Sequence, residues 1–193
     1  MDSLGITKPY DLFNQMKNNI KILLYCSAFF LVFGCGADDN TEEEVVSSEV
    51  QGNITLSGSE TSELGTSLTV VNIEVANASL TGTDKSVILL SENISVVDNE
   101  LVYEDDQNGF VIVAADFSTG GSADIDKSIS MTIVKDGEEY RHACSSPYLN
   151  FFTACGDGFA IDFEGKSVTF DGTTVINTDD DTILTMDGTI TWD

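Results

Sequence analysis

His142 is the only imidazole in the sequence, so histidine-based acid–base chemistry would have to start there. A serine hydrolase sets such a base beside an activated nucleophile, and no Gly-x-Ser-x-Gly turn is present. His142 follows Arg141 at the end of a β-type run and precedes Cys144, which reads as a side chain on a strand surface. Asp162 and Glu164 are two residues apart, so a strand would set both carboxyls on one face, as a glycosidase pair requires. With 33 acidic residues in the chain, pairs of this spacing arise by chance, and a solvated sheet face is the plainer reading. Asp179, Asp180 and Asp181 form one acidic turn; Glu104, Asp105 and Asp106 with Asn108 form another. Hard cations take several oxygen ligands, so calcium is the cofactor that the Asp179–Asp181 turn would hold. Neither run is an EF-hand: counted from Asn177, Thr182 stands where the loop needs Gly, and Gly188 where it needs Glu. Without a Cys-x-x-Cys pair, and with one histidine, a zinc site lacks ligands. No glycine-rich phosphate loop occurs either. These residue types point to a domain that is not an enzyme.

The N-terminal part carries an address. Lys17 and Lys21 precede an apolar run from Ile22 to Phe33, long enough for the core of a signal peptide and too short to span a bilayer. Small residues then surround Cys35: Gly34 before it, Gly36 and Ala37 after it. Val32-Phe33-Gly34-Cys35 resembles the lipobox of bacterial lipoproteins. That resemblance implies cleavage before Cys35, lipidation of its thiol and attachment to the outer membrane. Val32 departs from the leucine usual three residues before the cysteine. The acidic stretch Asp38 to Glu44 resembles the surface-export signal of Bacteroidota lipoproteins, which implies display on the cell surface, the periplasmic face being the alternative. Residues 1–15 carry Asp2 and Asp11 ahead of the signal and read as a gene-model extension. The expected organisation is then 16–34 as signal peptide, 35–52 as lipidated cysteine and acidic disordered tether, and 53–193 as a single β domain.

With Cys26 in the signal and Cys35 as the anchor, Cys144 and Cys155 are the pair left in the exported body, where two thiols bridge. The segment between them, SSPYLNFFTA, would carry Tyr148, Phe151 and Phe152 on a rigid tip suited to a protein or carbohydrate partner. Asp181-Thr182-Ile183 resembles the O-glycosylation motif of exported Bacteroidota proteins, which implies Thr182 as the acceptor. The chain has a formal charge of −25, and only five cations follow Cys35 against 31 acids. Such a field repels nucleic acid and anionic lipid surfaces and leaves divalent cations or basic partners.

The elements that must position these residues are strands. Short β-branched runs are separated by Gly, Asp, Asn and Ser: Ile54–Leu56, Leu68–Val75, Ala78–Thr81, Val87–Leu90, Ile94–Val97, Leu101–Tyr103, Phe110–Phe117, Ile129–Lys135, Glu139–Ala143, Phe159–Phe163, Ser167–Phe170, Thr173–Ile176, Thr182–Met186 and Thr189–Trp192. Asp136-Gly137, Asp171-Gly172 and Asp187-Gly188 are read as tight hairpin turns, because such dipeptides supply positive φ. SVTFDGTTVI and ILTMDGTITW echo one another and are read as two successive hairpins. Together with the anchor, this last third resembles small flavobacterial lipoproteins of unknown function. The expected fold is all-β, an antiparallel β-sandwich, with a small lipocalin-like β-barrel as the alternative. The expected function is that of a lipid-anchored, non-enzymatic binding or accessory subunit. A carrier of an apolar ligand inside a barrel, or a surface hydrolase without a recognisable nucleophile, are the alternatives.

Overall fold

The computed structural model describes residues 49–103, 108–118, 125–148 and 152–193. The expectations for Cys35, the signal peptide and the tether up to residue 48 lie outside the described residues, as do Glu104, Asp105, Asp106 and Phe151. The chain order is β1 (Gly52–Gly58), α1 (Thr61–Leu64), β2 (Ser67–Val70), β3 (Asn72–Val75), α2 (Ala78–Thr81), β4 (Ser86–Leu90), β5 (Ile94–Val97), β6 (Glu100–Tyr103), β7 (Gly109–Asp116), β8 (Lys127–Lys135), β9 (Glu138–Ser146), β10 (Thr153–Ala154), β11 (Ala160–Asp162), β12 (Ser167–Asn177) and β13 (Ile183–Thr191). Among the described residues no helix is long and apolar enough to cross a membrane.

The all-β expectation holds. The main sheet runs β2-β1-β13-β12-β9-β8-β7-β4-β3 and is nearly barrel-shaped. Every neighbour on that path is antiparallel. Its two ends, β2 and β3, are halves of one stretch of chain broken at Val71. The first half pairs with β1 and the second with β4, while Val71 N–H donates to Leu90 O. Leu68–Val75 is therefore two strands rather than one, because one stretch serves both margins of the sheet and must change partner midway.

Strand alternation builds the core. Ile54, Leu56, Val70, Val87, Leu89, Ile112, Ile129, Met131, Val168, Phe170, Val175, Leu184, Met186 and Ile190 form one buried cluster. β4 has no polar face, since all five of its residues are buried. Val87 and Leu89 join the main core. Ile88 and Leu90 instead form a second cluster with Ile94 of the β5–β6 hairpin, which covers the outer side of β4 and β7.

Local chemistry explains where the strand pattern breaks. Asp136-Gly137 turns β8 into β9 with φ of 53° and 83°, as expected. Asp171-Gly172 and Asp187-Gly188 do not turn the chain: they lie inside β12 and β13. The two echoing segments are the two arms of one hairpin, not two hairpins. Phe170 opposes Gly188 and Thr173 opposes Met186, so the register shifts between them. Gly172 takes φ of 60°, and its N–H donates to Asp187 Oδ1 at 2.7 Å. The positive φ that suits a hairpin turn equally suits a β-bulge, which inserts a residue and strengthens local twist. The bulge keeps both Phe170 and Thr173 buried although they are three positions apart.

Ala78–Thr81 is a helical turn instead of the expected strand. The Asn77 side chain accepts from Leu80 N–H, and Gly82 ends the turn at φ of 78°. A capping Asn and a left-handed Gly five positions apart outweigh the weak strand propensity of Ala-Ser-Leu-Thr. Phe159–Phe163 contracts to β11, and Asp162 Oδ1 accepts from the N–H of Glu164 and of Gly165. Asp162 thus shapes its own turn rather than forming a carboxylate pair with Glu164.

Candidate functional site

Two features gather the chemistry-bearing residues of the body: a buried polar cluster and the loop between the two cysteines.

His142 is not a surface side chain. It is 1% exposed, on the same face of β9 as Cys144 two residues later. Its Nε2 lies 2.9 Å from Glu60 Oε2. Asn177, opposite His142 on β12, donates from Nδ2 to Glu60 Oε1 at 2.7 Å. Glu60 is itself buried, at 7% exposure, and directly precedes α1. Its two oxygens therefore tie the β1–β2 connection to β9 and β12 across 82 and 117 residues of sequence. His142 Nδ1 has no hydrogen-bond partner. A buried N–H without an acceptor is costly, so the arrangement favours the tautomer in which Nε2–H donates to the Glu60 carboxylate. A second tie lies beside the first. Tyr140 OH donates to Glu138 Oε2 at 3.1 Å and to Glu63 Oε2 of α1 at 3.3 Å. The bond to Glu138, with the neighbouring carboxylate charges, pushes the phenol up to about 12.

Both side chains are buried, and the cluster ties the β1–β2 connection to β9 and β12. Glu60 escaped the sequence reading because one acid among 33 carries no local mark. The signal for His142 was present. A strand puts residues two apart on one face, and a disulfide-forming Cys144 marks the buried face.

The expected disulfide is present. Cys144 and Cys155 are bridged, with Cα atoms 5.0 Å apart and both residues buried. The structure adds a purpose for the position. β9 and β12 pair directly only at Ala143–Ile176 and His142–Asn177. Beyond that point β10 lies between them. It runs parallel to β9, with Thr153 opposite Cys144 and Ala154 opposite Ser145. Toward β12, Thr174 N–H donates to Cys155 O at 3.2 Å, and Thr174 Oγ1 donates to Ala154 O at 2.7 Å. The disulfide pins this two-residue wedge in the opening between two long strands.

Between the cysteines, Tyr148 is 65% exposed and Phe152 is 37% exposed. Phe152 also lines a groove of about 390 Å³ with Phe117, Ile125, Ser130, Arg141 and Ala143. Labelling of the native protein by a thiol reagent is expected to leave Cys144 and Cys155 unmodified. Reduction is expected to remove roughly 2–3 kcal/mol of stability, as for a short closed loop. Unchanged urea unfolding after reduction would show that the wedge holds without the bridge.

Asp179, Asp180 and Asp181 lie in the turn from β12 to β13, as expected. Their polar groups serve the turn. Asp179 N–H donates to Asn177 Oδ1, and Asp180 Oδ1 accepts from the hydroxyl and the N–H of Thr182. The Thr182 hydroxyl, followed by its N–H, holds the Asp180 carboxyl below its ordinary range. Among the described residues no three His, Cys, Asp or Glu side chains are gathered as metal ligands would be. Thr182 is half-buried, with its hydroxyl spent on Asp180 at 2.6 Å. No protein-family model, no curated protein and no solved structure matches the chain, and its function has to be read from the geometry above.

Proposed function

We propose that the chain is an exported β domain, anchored to the outer membrane through a lipid on Cys35, which works as a non-enzymatic binding or accessory subunit. The observation that carries the reading is the exposed aromatic pair Tyr148 and Phe152, in a loop whose ends are joined by the Cys144–Cys155 bridge. A disulfide belongs to proteins that leave the reducing cytoplasm, which agrees with the lipobox-like Val32-Phe33-Gly34-Cys35. Large aromatic side chains on a restrained loop lose little conformational entropy on contact, so they suit a protein or carbohydrate partner. The carrier alternative needs an internal cavity, whereas the inward positions of the main sheet hold packed side chains such as Phe170, Met131 and Met186.

Cys35→Ala is expected to move the protein from the membrane fraction to the soluble one and to abolish incorporation of radiolabelled fatty acid. Label retained in that variant would refute the anchor. For the contact, a photo-crosslinking residue in place of Tyr148 is expected to give a discrete adduct on intact cells. Phe152→Ala should abolish that adduct while stability shifts by less than about 0.5 kcal/mol, as for other exposed substitutions. Absence of any adduct, or an adduct indifferent to Phe152, would refute the aromatic tip.

A further inference from the structure

We propose that the free edge of β3 is a docking slot for an extended, basic segment of a partner protein, which adds a strand there. β3 ends the strand path and, among the described residues, pairs only with β4. Ala76 N–H donates to Ser86 O, which extends the ladder in which Glu74 faces Ile88 and Asn72 faces Leu90. Antiparallel bonding alternates along a strand. The N–H and C=O of Ile73 and Val75 therefore point away from β4. On that side β1 does not continue the sheet, because its pairing with this stretch of chain stops at Val70. The result is an open slot of about 400 Å³ beside the β3 edge, with Gln51, Glu74, Ser95, Trp192 and Asp193 on its walls.

An unpaired strand edge is a template for another extended chain, whose backbone supplies the missing ladder. The walls select its charge. Glu74 and Asp193 are acidic, and among the described residues no lysine or arginine lines the slot. Trp192 is held edge-on against Phe163, with centroids 6.3 Å apart. An indole beside carboxylates takes a lysine or arginine side chain through the ring face and the charge together. The overall charge of −25 draws basic segments in and opposes a second copy of this chain. The slot also has built sides. Asn72 Nδ2 donates to Ser91 O, Glu92 O and Ile94 O, which fixes the β5 end relative to β3.

Trp192 is the only tryptophan, so its fluorescence reports on this slot alone. The full chain would be titrated with the peptide Val-Lys-Val-Lys-Val-Lys, its glutamate counterpart, a backbone N-methylated version of the lysine peptide, and spermine. Saturable quenching or shift is expected with the lysine peptide, at least tenfold weaker with the N-methylated one and absent with the glutamate one. Glu74→Gln should weaken binding about fivefold through the lost charge. Val75→Pro removes an N–H aimed at the slot while leaving the β4 ladder intact, and should abolish binding. Equal binding of the N-methylated peptide or of spermine would show a simple polycation site and overturn strand addition. No response to the lysine peptide, or a concentration-dependent dimer in sedimentation, would overturn the slot as a partner site.

Discussion

His142→Ala is expected to destabilise the domain by about 3–5 kcal/mol in urea unfolding. The side chain is 1% exposed and lies 2.9 Å from a Glu60 carboxylate that is itself buried. Removing the imidazole leaves that carboxylate with Asn177 Nδ2 as its remaining side-chain donor. Glu60→Ala is expected to cost a similar amount for the complementary reason, since Asn177 and His142 then bury donors without an acceptor. Removing both partners together behaves differently. The double variant Glu60→Leu with His142→Phe removes both of those polar side chains but still leaves Asn177 Nδ2 without its acceptor, and should recover part of the loss. Single variants within about 1 kcal/mol of the parent would mean that water reaches the cluster and that it does not fasten the β1–β2 connection.

Phe170→Ala is expected to cost about 3–5 kcal/mol, the usual range for deleting a buried phenyl ring. Phe170 is 2% exposed and stacks on Phe159, with ring centroids 6.0 Å apart and planes 11° from parallel. It directly precedes the Asp171-Gly172 bulge. The backbone beside it is closely packed: a Cβ added at Gly158 would overlap the Asp171 carbonyl oxygen. Val97→Ala is the control. Val97 is 52% exposed on the β5–β6 hairpin, and its loss should stay within about 0.5 kcal/mol. Equal effects at Phe170 and Val97 would refute the assignment of Phe170 to the core.

Several features needed no tertiary information. Alternation such as Ile129, Met131, Ile133 against Ser130 and Thr132 settles the strand class, since only a half-buried strand repeats every two residues. The cysteine pair was equally visible, because Cys144 and Cys155 flank a short loop between β-type runs. Asp136-Gly137 was read correctly because the strands on both sides are complete before it. Asp171-Gly172 has the same local conformational preference and became a bulge, because β13 continues alongside and pairs on both sides of it. Whether positive φ reverses a chain or kinks it depends on a neighbour that the dipeptide cannot specify. The same holds for Val71, where the change of partner from β1 to β4 is a property of the whole strand path and leaves no mark in Leu68–Val75. Glu60, His142 and Asn177 are the extreme case. Each is an ordinary polar residue in its own segment, and burial becomes tolerable only when three distant segments bring the His142 and Asn177 side chains within 3 Å of the Glu60 carboxylate.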